Sequence, residues 1–560
     1  MLNIYFLSNY SIEFIFESLR KKLIEFQIEF NIIYPGFNQY SQQIFNPESE
    51  LYTKSPEIVF ISIDLNNYFA NNFDLKNNPP ITENVSNQIE QVFQSFEIIS
   101  EKLKNSTIFI DNFYLDSTFN FGTLEYNFFN LEELISKLNS RLIEIQQRHH
   151  NVKIIDINAL INKYGQKELF DYRLLYLAKF KWNKKGIDKL SDLYISHIKS
   201  YLGIRKKCVV VDLDNTLWGG IIGQDGIENI KLSNDGIGKA FYDFQSYLLK
   251  LYNQGILLAI CSKNSENVVN LVFEKHPYMI LKPEHFAVKK INWNNKVENI
   301  IEIAKELNIG LDSLVFLDDS KFERELIKQQ LPQVEVPDLP DDPSLYTIFI
   351  SELDYFNFHK LTDDDFKRNE SYRLNFERKK QEESFSNIKD YLRSLNMKVE
   401  IKKIDDFTFP RIVQLIQKTN QFNTTTKRYT ESEIMQMRNS DEWEIYSFSV
   451  SDKFGDNGIV GVFILKFYNE SSKINIDSFI MSCRVIGREI EDAVLYFIVN
   501  KAKEKNIKTL TADIIPTPKN EPCRNVYKNY GFEEVKENSW ALDITKKDFE
   551  LPDYFQLISL

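Results

Sequence analysis

In residues 208–220, CVVVDLDNTLWGG, four apolar residues of buried-strand type run straight into Asp212 and Asp214, followed by Asn215 and Thr216. Two later stretches have the same form. GILLAICS (255–262) ends on Ser262 and LVFLDDS (314–320) ends on Asp318, Asp319 and Ser320, while Lys296 opens a helical stretch between them in INWNNKVENI (291–300). In an open parallel sheet the carboxyl ends of the strands share one edge, where ligands bind, so this order predicts convergence. Without convergence, 212–216 would be an Asx turn and 318–320 a helix cap. Acidic pairs meeting in a partly buried cleft repel one another unless a hard divalent cation joins them, and magnesium is the natural guest. One carboxylate can then attack phosphorus, while a second protonates the leaving oxygen and later activates water. A hydroxyl and an ammonium hold the phosphoryl oxygens.

Upstream, from the start to about residue 203, β-rich apolar runs (LNIYFL, FNIIY, EIVFISI, STIFI, VKIIDI) alternate with segments of helical period, which predicts a parallel sheet covered by helices. Downstream, LPQVEVPDLPDDP (331–343) holds four prolines that stop any helix or interior strand and close the second α/β unit. Residues 362–395 carry opposite charges on nearby turns and read as a solvated connecting helix. From 397, MKVEIKKI, WEIYSFSV, GIVGVFILKF and INIDSFIMS read as consecutive antiparallel strands, followed by a helix at 487–504 and a strand near TLTADI. The expected organisation is an α/β multidomain chain: a parallel-sheet front domain at 1–203, a Rossmann-like core at 204–345, a helical connector at 346–396 and an α+β domain at 397–560.

A length of 560 residues is too great for one core, and 43% apolar with 14% aromatic residues is enough to bury several. The net charge of −12 argues against a nucleic-acid partner. Four scattered cysteines cannot make a disulfide framework, and neither they nor the six histidines fall at zinc-ligand spacing, so a cytoplasmic protein is expected. The start lacks a basic segment, has Glu13 inside its apolar stretch, and no later apolar run is long enough to span a bilayer; secretion and membrane insertion are disfavoured.

The central residues resemble the haloacid dehalogenase (HAD) superfamily of phosphotransferases. The resemblance implies Asp212 as nucleophile, Asp214 as acid/base, Ser262 and Lys296 with Thr216 as phosphate-binding groups, and Asp212, Asp214, Asp318 and Asp319 around Mg²⁺; Lys263, Lys289 and Lys290 compete for the role of Lys296. VVVDLDNTLWGGIIGQDG with AICSKN, INWNNK and LDDSKFEREL more closely resembles the FkbH-like subgroup. That resemblance continues through FNQYSQQIFNPESELYTKSPEIVFISID upstream and TNQFNTTTKRYTESEI, MSCRVIGREIEDAVL and RNVYKNYGFEEV downstream. It implies removal of phosphate from a glyceryl donor, 1,3-bisphosphoglycerate, and transfer of the acyl group to an acyl carrier protein thiol, as in polyketide assembly. A HAD phosphatase fused to an acyltransferase that modifies a sugar or amine is the alternative.

The tail resembles the GNAT acyltransferase fold, in which a helix N-terminus after the fourth strand receives a pyrophosphate. The corresponding residues run from Arg484 through Gly487 and Arg488 to Glu489, whose carboxylate stands where a small residue is usual and speaks against free coenzyme A. Arg484 and Arg488 are left to receive one phosphate of a phosphopantetheine arm, or else to pair with Glu489, Glu491 and Asp492. Cys261 beside Ser262, and Cys483 beside Arg484, are the candidates for a covalent thioester, with a buried apolar cysteine as the plain alternative for each. Cys208 and Cys523 read as structural. The front domain resembles an SGNH-hydrolase sheet, but Ser8 lacks that family's flanking Gly and Asp, so the domain is expected to be degenerate.

Overall fold

The structure is a computed structural model that describes residues 2–26, 28–69, 81–119, 131–357, 368–382, 384–468, 472–517, 520–546 and 548–559. It forms two compact units, 1–198 and 199–560.

The first unit holds a parallel sheet in the order β2-β1-β3-β4-β5, formed by β1 (Leu2–Ser8), β2 (Phe30–Ile33), β3 (Ile58–Ser62), β4 (Thr107–Asp111) and β5 (Val152–Ile155). β3 and β4 are buried at every residue, as befits central strands covered on both faces. The helix Glu83–Lys102 turns Val85, Ile89, Val92, Phe96 and Ile99 inward at helical spacing, and its first turn is capped by the Thr82 hydroxyl.

The second unit contains two sheets. The smaller is parallel, ordered β8-β7-β6-β9, from β6 (Cys208–Val211), β7 (Leu257–Ser262), β8 (Phe286–Ile291) and β9 (Leu314–Leu317). β8 is absent from the sequence reading because it is an edge strand with Lys289 and Lys290 among its six residues, which breaks the apolar run seen in its neighbours. Among the described residues the larger sheet has nine strands, including β10 (Met397–Lys403), β11 (Phe422–Asn423), β12 (Trp443–Asp452), β13 (Gly455–Tyr468), β14 (Lys473–Met481) and β15 (Thr509–Asp513). It is mixed: β10, β12, β13 and β14 pair antiparallel as expected, but β15 joins β14 in parallel after the crossover helix Ile490–Glu504.

The connecting helix is solvated on one face only, where Glu370, Arg373, Glu377 and Glu382 are exposed. Residues 362–367 lie outside the described residues, but Arg368–Glu382 packs into the unit, with Arg378 only 2% exposed and forking onto both oxygens of Asp452 at 2.7 Å. A bidentate guanidinium–carboxylate pair satisfies both charges, which lets the Arg378 face of this polar helix be buried. Asn375 of the same helix donates to Arg484 O at 3.0 Å, Lys379 to Glu306 O at 2.8 Å, and Asn308 donates to Cys483 O at 2.8 Å, so the smaller sheet's helices and the larger sheet are fastened to one another.

In the first unit, burial drives the Asp111 carboxyl up to about 7, against the pull of the hydroxyls that Ser62 and Tyr194 donate to it. The folded unit therefore keeps a proton that an unfolded aspartate (~3.9) has released. Stability from this group is fully present below the unfolded value and is lost as pH rises through the folded one. Asp111→Asn is expected to remove up to ~1.4 kcal/mol per pH unit of that decline, read as a flatter dependence of the first unit's urea midpoint on pH between about 4 and 7.

Candidate active site

Parallel register brings the acidic residues together. Val211 of β6 is paired with Leu317 of β9, so Asp212 and Asp318, one residue further on, leave neighbouring strands side by side, and Asp212 N donates to Leu317 O at 3.0 Å. Lys296 opens the helix Lys296–Leu307, whose N-cap is Asn295, and reaches back to both carboxylates: Nζ lies 3.1 Å from Asp212 Oδ2 and 2.7 Å from Asp318 Oδ2. All three side chains are buried. Burial alone would discharge the ammonium, but Asp212 and Asp318 outweigh it and hold the Lys296 pKa above its ordinary value. Burial, and then the neighbouring Asp212, raise Asp318 to about 6 and push Asp319 upward too. Of the competing lysines, Lys263 pairs with Glu323 at 2.6 Å and Lys290 with Glu302 and Glu306 at 2.6 Å, while Lys289 is exposed.

Asp212, Asp318 and Asp319 each offer an oxygen within 4.8 Å of the others. Three carboxylates around one ammonium leave negative charge uncompensated, and Asp212 Oδ1 is buried with no hydrogen-bond partner. An all-oxygen set with an orphaned carboxylate oxygen fits a hard divalent cation. Asp214 departs from expectation, because its side chain does not join this set. Its Oδ1 accepts from the Trp218 indole at 2.9 Å and from Ile222 N at 3.1 Å, and its Oδ2 accepts from Asn264 Nδ2 at 3.0 Å. Burial raises its pKa against these three bonds.

Ser262 ends β7 at the same edge, 2% exposed. Thr216, expected to touch phosphate, is fully buried and its hydroxyl oxygen accepts from Asp319 N at 3.2 Å, so it ties two loops together instead. Arg324, which the sequence did not single out, braces the same loop by donating to the carbonyls of Asp318 and Asp319 at 2.8 Å. Trp218 and Asn264 stand inside the same motifs, and only for Trp218, a large ring with one hydrogen-bond donor directly after the acidic pair, does the sequence carry a signal of a bonding role.

The two candidate thiols differ. Cys261 is fully buried, and burial pushes its thiol up to about 12, which removes the thiolate needed for attack. Cys483 is half-buried, 3.3 Å from the Tyr372 hydroxyl, and borders a cavity of about 590 Å³ with Arg411, Lys418 and Arg484. That cavity is also lined by Lys207, Leu257 and Ser313, at the amino ends of β6, β7 and β9, so it lies at the opposite end of the small sheet from Asp212.

The turn at 484–489 does not have the form of a phosphate cradle. Arg488 is spent internally on Asp452 at 3.3 Å, Asn375 at 2.6 Å and Arg484 O at 2.8 Å; Arg484 donates to Ser482 and Ser371. These partners are not the acidic residues Glu489, Glu491 and Asp492 that follow in the chain. Gly487 and Glu489 both take left-handed φ, +88° and +55°, and the helix Ile490–Glu504 starts amid Glu489, Glu491 and Asp492. Burial raises Glu491 to about 7 and Asp492 to about 6, the mark of a crowded acidic corner that repels a phosphate. In the first unit Ser8 is 1% exposed and donates to Tyr10 O, so it is not presented as a nucleophile.

Residues 3–192 match the family described as FkbH, N-terminal domain. No curated relative matches the chain. Among solved structures, the N-terminal part of the protein BF1531 from Bacteroides fragilis, containing a phosphatase domain complexed with Mg, is 30% identical, with 64% of this chain and 94% of that chain covered and a TM-score of 0.59. A domain from Methanocaldococcus jannaschii DSM 2661 is 16% identical over 26% of this chain and 99% of its own, with a TM-score of 0.22. The ribosomal-protein-S18-alanine N-acetyltransferase from Escherichia coli is 12% identical over 27% of this chain and 98% of its own, with a TM-score of 0.21. No helix among the described residues is long and apolar enough to cross a membrane.

Lys296→Met leaves Asp212 and Asp318 buried without their counter-charge, a loss of about 3–5 kcal/mol by analogy with broken buried pairs. The expected result is a lower melting temperature in chelator and a larger rise on adding Mg²⁺ than the unsubstituted protein shows, both read in one thermal melt series.

Proposed function

The chain belongs to the family of the Bacteroides fragilis phosphatase-domain protein and carries the FkbH N-terminal domain at its front; from that premise we propose that it is a phosphatase-type enzyme whose centre is Asp212. The observation that carries the reading is the buried, unpartnered Asp212 Oδ1 beside Lys296, Asp318 and Asp319. Asp212, Asp318 and Asp319 would hold Mg²⁺, which supplies the positive charge that lets an anionic phosphate approach three carboxylates. Asp212 attacks phosphorus and forms the new O–P bond while the bond to the leaving oxygen breaks. Asp214 gives that oxygen a proton, then takes one from water, whose oxygen attacks the aspartyl-phosphate and releases inorganic phosphate with Asp212 restored. Lys296 keeps the Asp212 carboxylate oriented and stabilises the charge that gathers on the phosphoryl oxygens.

The finer reading is that the donor is a phosphorylated glyceryl unit, as in 1,3-bisphosphoglycerate, and that its acyl group passes to an acyl carrier protein. Asp212 takes the ester phosphate at C3 by the O–P exchange above, whereas at C1 the carrier thiol forms a C–S bond as the C–O bond of the acyl phosphate breaks; that phosphate leaves with the electron pair and the thiol proton goes to solvent. The acidic corner at 489–492 speaks against any phosphate-bearing carrier of the thiol at that turn, free coenzyme A or phosphopantetheine arm alike. Of the enzyme's own cysteines, Cys483 has the cavity that a thioester relay requires.

Asp212→Asn is expected to abolish phosphate release, by at least about 10³-fold, with the fold retained, because an amide cannot attack phosphorus. Incubation with Mg²⁺, 1,3-bisphosphoglycerate and a pantetheinylated carrier should give a glycerylated carrier by mass spectrometry. An unchanged carrier with free phosphate would reduce the function to hydrolysis. Full transfer by Cys483→Ser would exclude the relay and leave direct attack by the carrier.

A further inference from the structure

Asp214 stands two residues from Asp212, on the same loop, within a site whose buried ammonium already draws Asp212 and Asp318. A free carboxylate there would be pulled toward the same charge. It is instead held by groups from two separate segments. Gly219 and Gly220 let the chain fold back after Asp214: a Cβ on Gly219 would meet the Phe241 ring at 2.8 Å, and Gly220 has φ of +100°. The Asn215 side chain secures that return by accepting from Gly220 N at 2.8 Å. The return delivers Trp218, fully buried among the apolar residues of the core, with its indole N–H on Asp214 Oδ1, and Ile222 N on the same oxygen.

From the other side, Asn264 comes off the end of β7, 5% exposed. Its Oδ1 accepts from Ser265 N at 3.0 Å, which fixes the direction of its amide and leaves Nδ2 to donate to Asp214 Oδ2. Two donors thus share Oδ1, whereas Oδ2 has one. A protonated oxygen needs a lone pair for its own proton and can accept with what remains, so the less engaged oxygen is the one suited to exchange a proton with substrate.

We propose that Trp218 and Asn264 are positioning residues that hold the Asp214 carboxylate out of the cation set and present Oδ2 as the oxygen that exchanges the proton. The inference rests on the phosphatase reading given above. Neither residue touches the phosphate; both act through Asp214. Trp218→Phe keeps most of the buried ring and loses only the donor, and Asn264→Ala removes the second donor at another point of the fold.

The test measures kcat/KM for the full-length protein with Mg²⁺ on two phosphate monoesters, p-nitrophenyl phosphate and a primary alkyl phosphate. A nitrophenolate leaves without a proton, whereas an alkoxide depends on one, so misplacing the acid weighs on the second ester. In Trp218→Phe or Asn264→Ala, the ratio of alkyl to nitrophenyl kcat/KM is expected to fall about 10-fold or more. An equal loss on both esters, or no change in the ratio, in whichever of the two variants retains the native melting profile would overturn the positioning role. Failure of the underlying reading is separate: Asp212→Asn would then release phosphate from either ester as fast as the unsubstituted protein.

Discussion

One buried ammonium governs the centre of this molecule. Lys296 lies between Asp212 and Asp318 and supplies the counter-charge that both buried carboxylates need. Its position depends on two things at once: the parallel register that sets Asp212 next to Asp318, and a helix that begins where its first side chain reaches back across the strand ends. Compensation is incomplete, since Asp319 adds a third carboxylate and Asp212 Oδ1 has no partner. A fully satisfied network would be a structural brace. An under-satisfied one, at the ligand-binding edge of a parallel sheet, is a place for a cation and an anionic substrate.

Around this centre the carboxylates fall into two environments. Asp212, Asp318 and Asp319 face a common point, whereas Asp214 is drawn aside by hydrogen-bond donors from its own loop and from the loop after β7. The division matters because groups that bind a cation and groups that move protons need different surroundings: the first must stay ionised, the second must change state. At the far end of the same sheet, the cavity beside Cys483 is bounded by Arg411 and Lys418 and by residues at the amino ends of three strands.

The first unit shows how little a sheet topology says about activity. It has strand ends rich in polar groups, including Ser8, Ser62, Asp64 and Asp111, yet they are buried and bonded to one another and to Tyr10, Lys181 and Tyr194. Such a network stabilises a single arrangement of the loops without offering a reactive atom to solvent.

The amino-acid sequence by itself determined the strands that carry the chemistry, because fully buried parallel strands leave long apolar runs and their polar ends stand out at once. It thereby determined Asp212, Ser262, Asp318 and Asp319 as a group. It did not determine β8, whose exposed face breaks the run, nor the burial of one face of Arg368–Glu382, where Asp452 meets Arg378. Only the tertiary structure decided between competing partners: which lysine joins the carboxylates, where Asp214 points, which cysteine borders a cavity, and that Arg488 turns to Asp452 rather than to a ligand. The physical reason is that identity and spacing say what a side chain can bond to. The distances that select one partner among several arise from segments far apart in the chain.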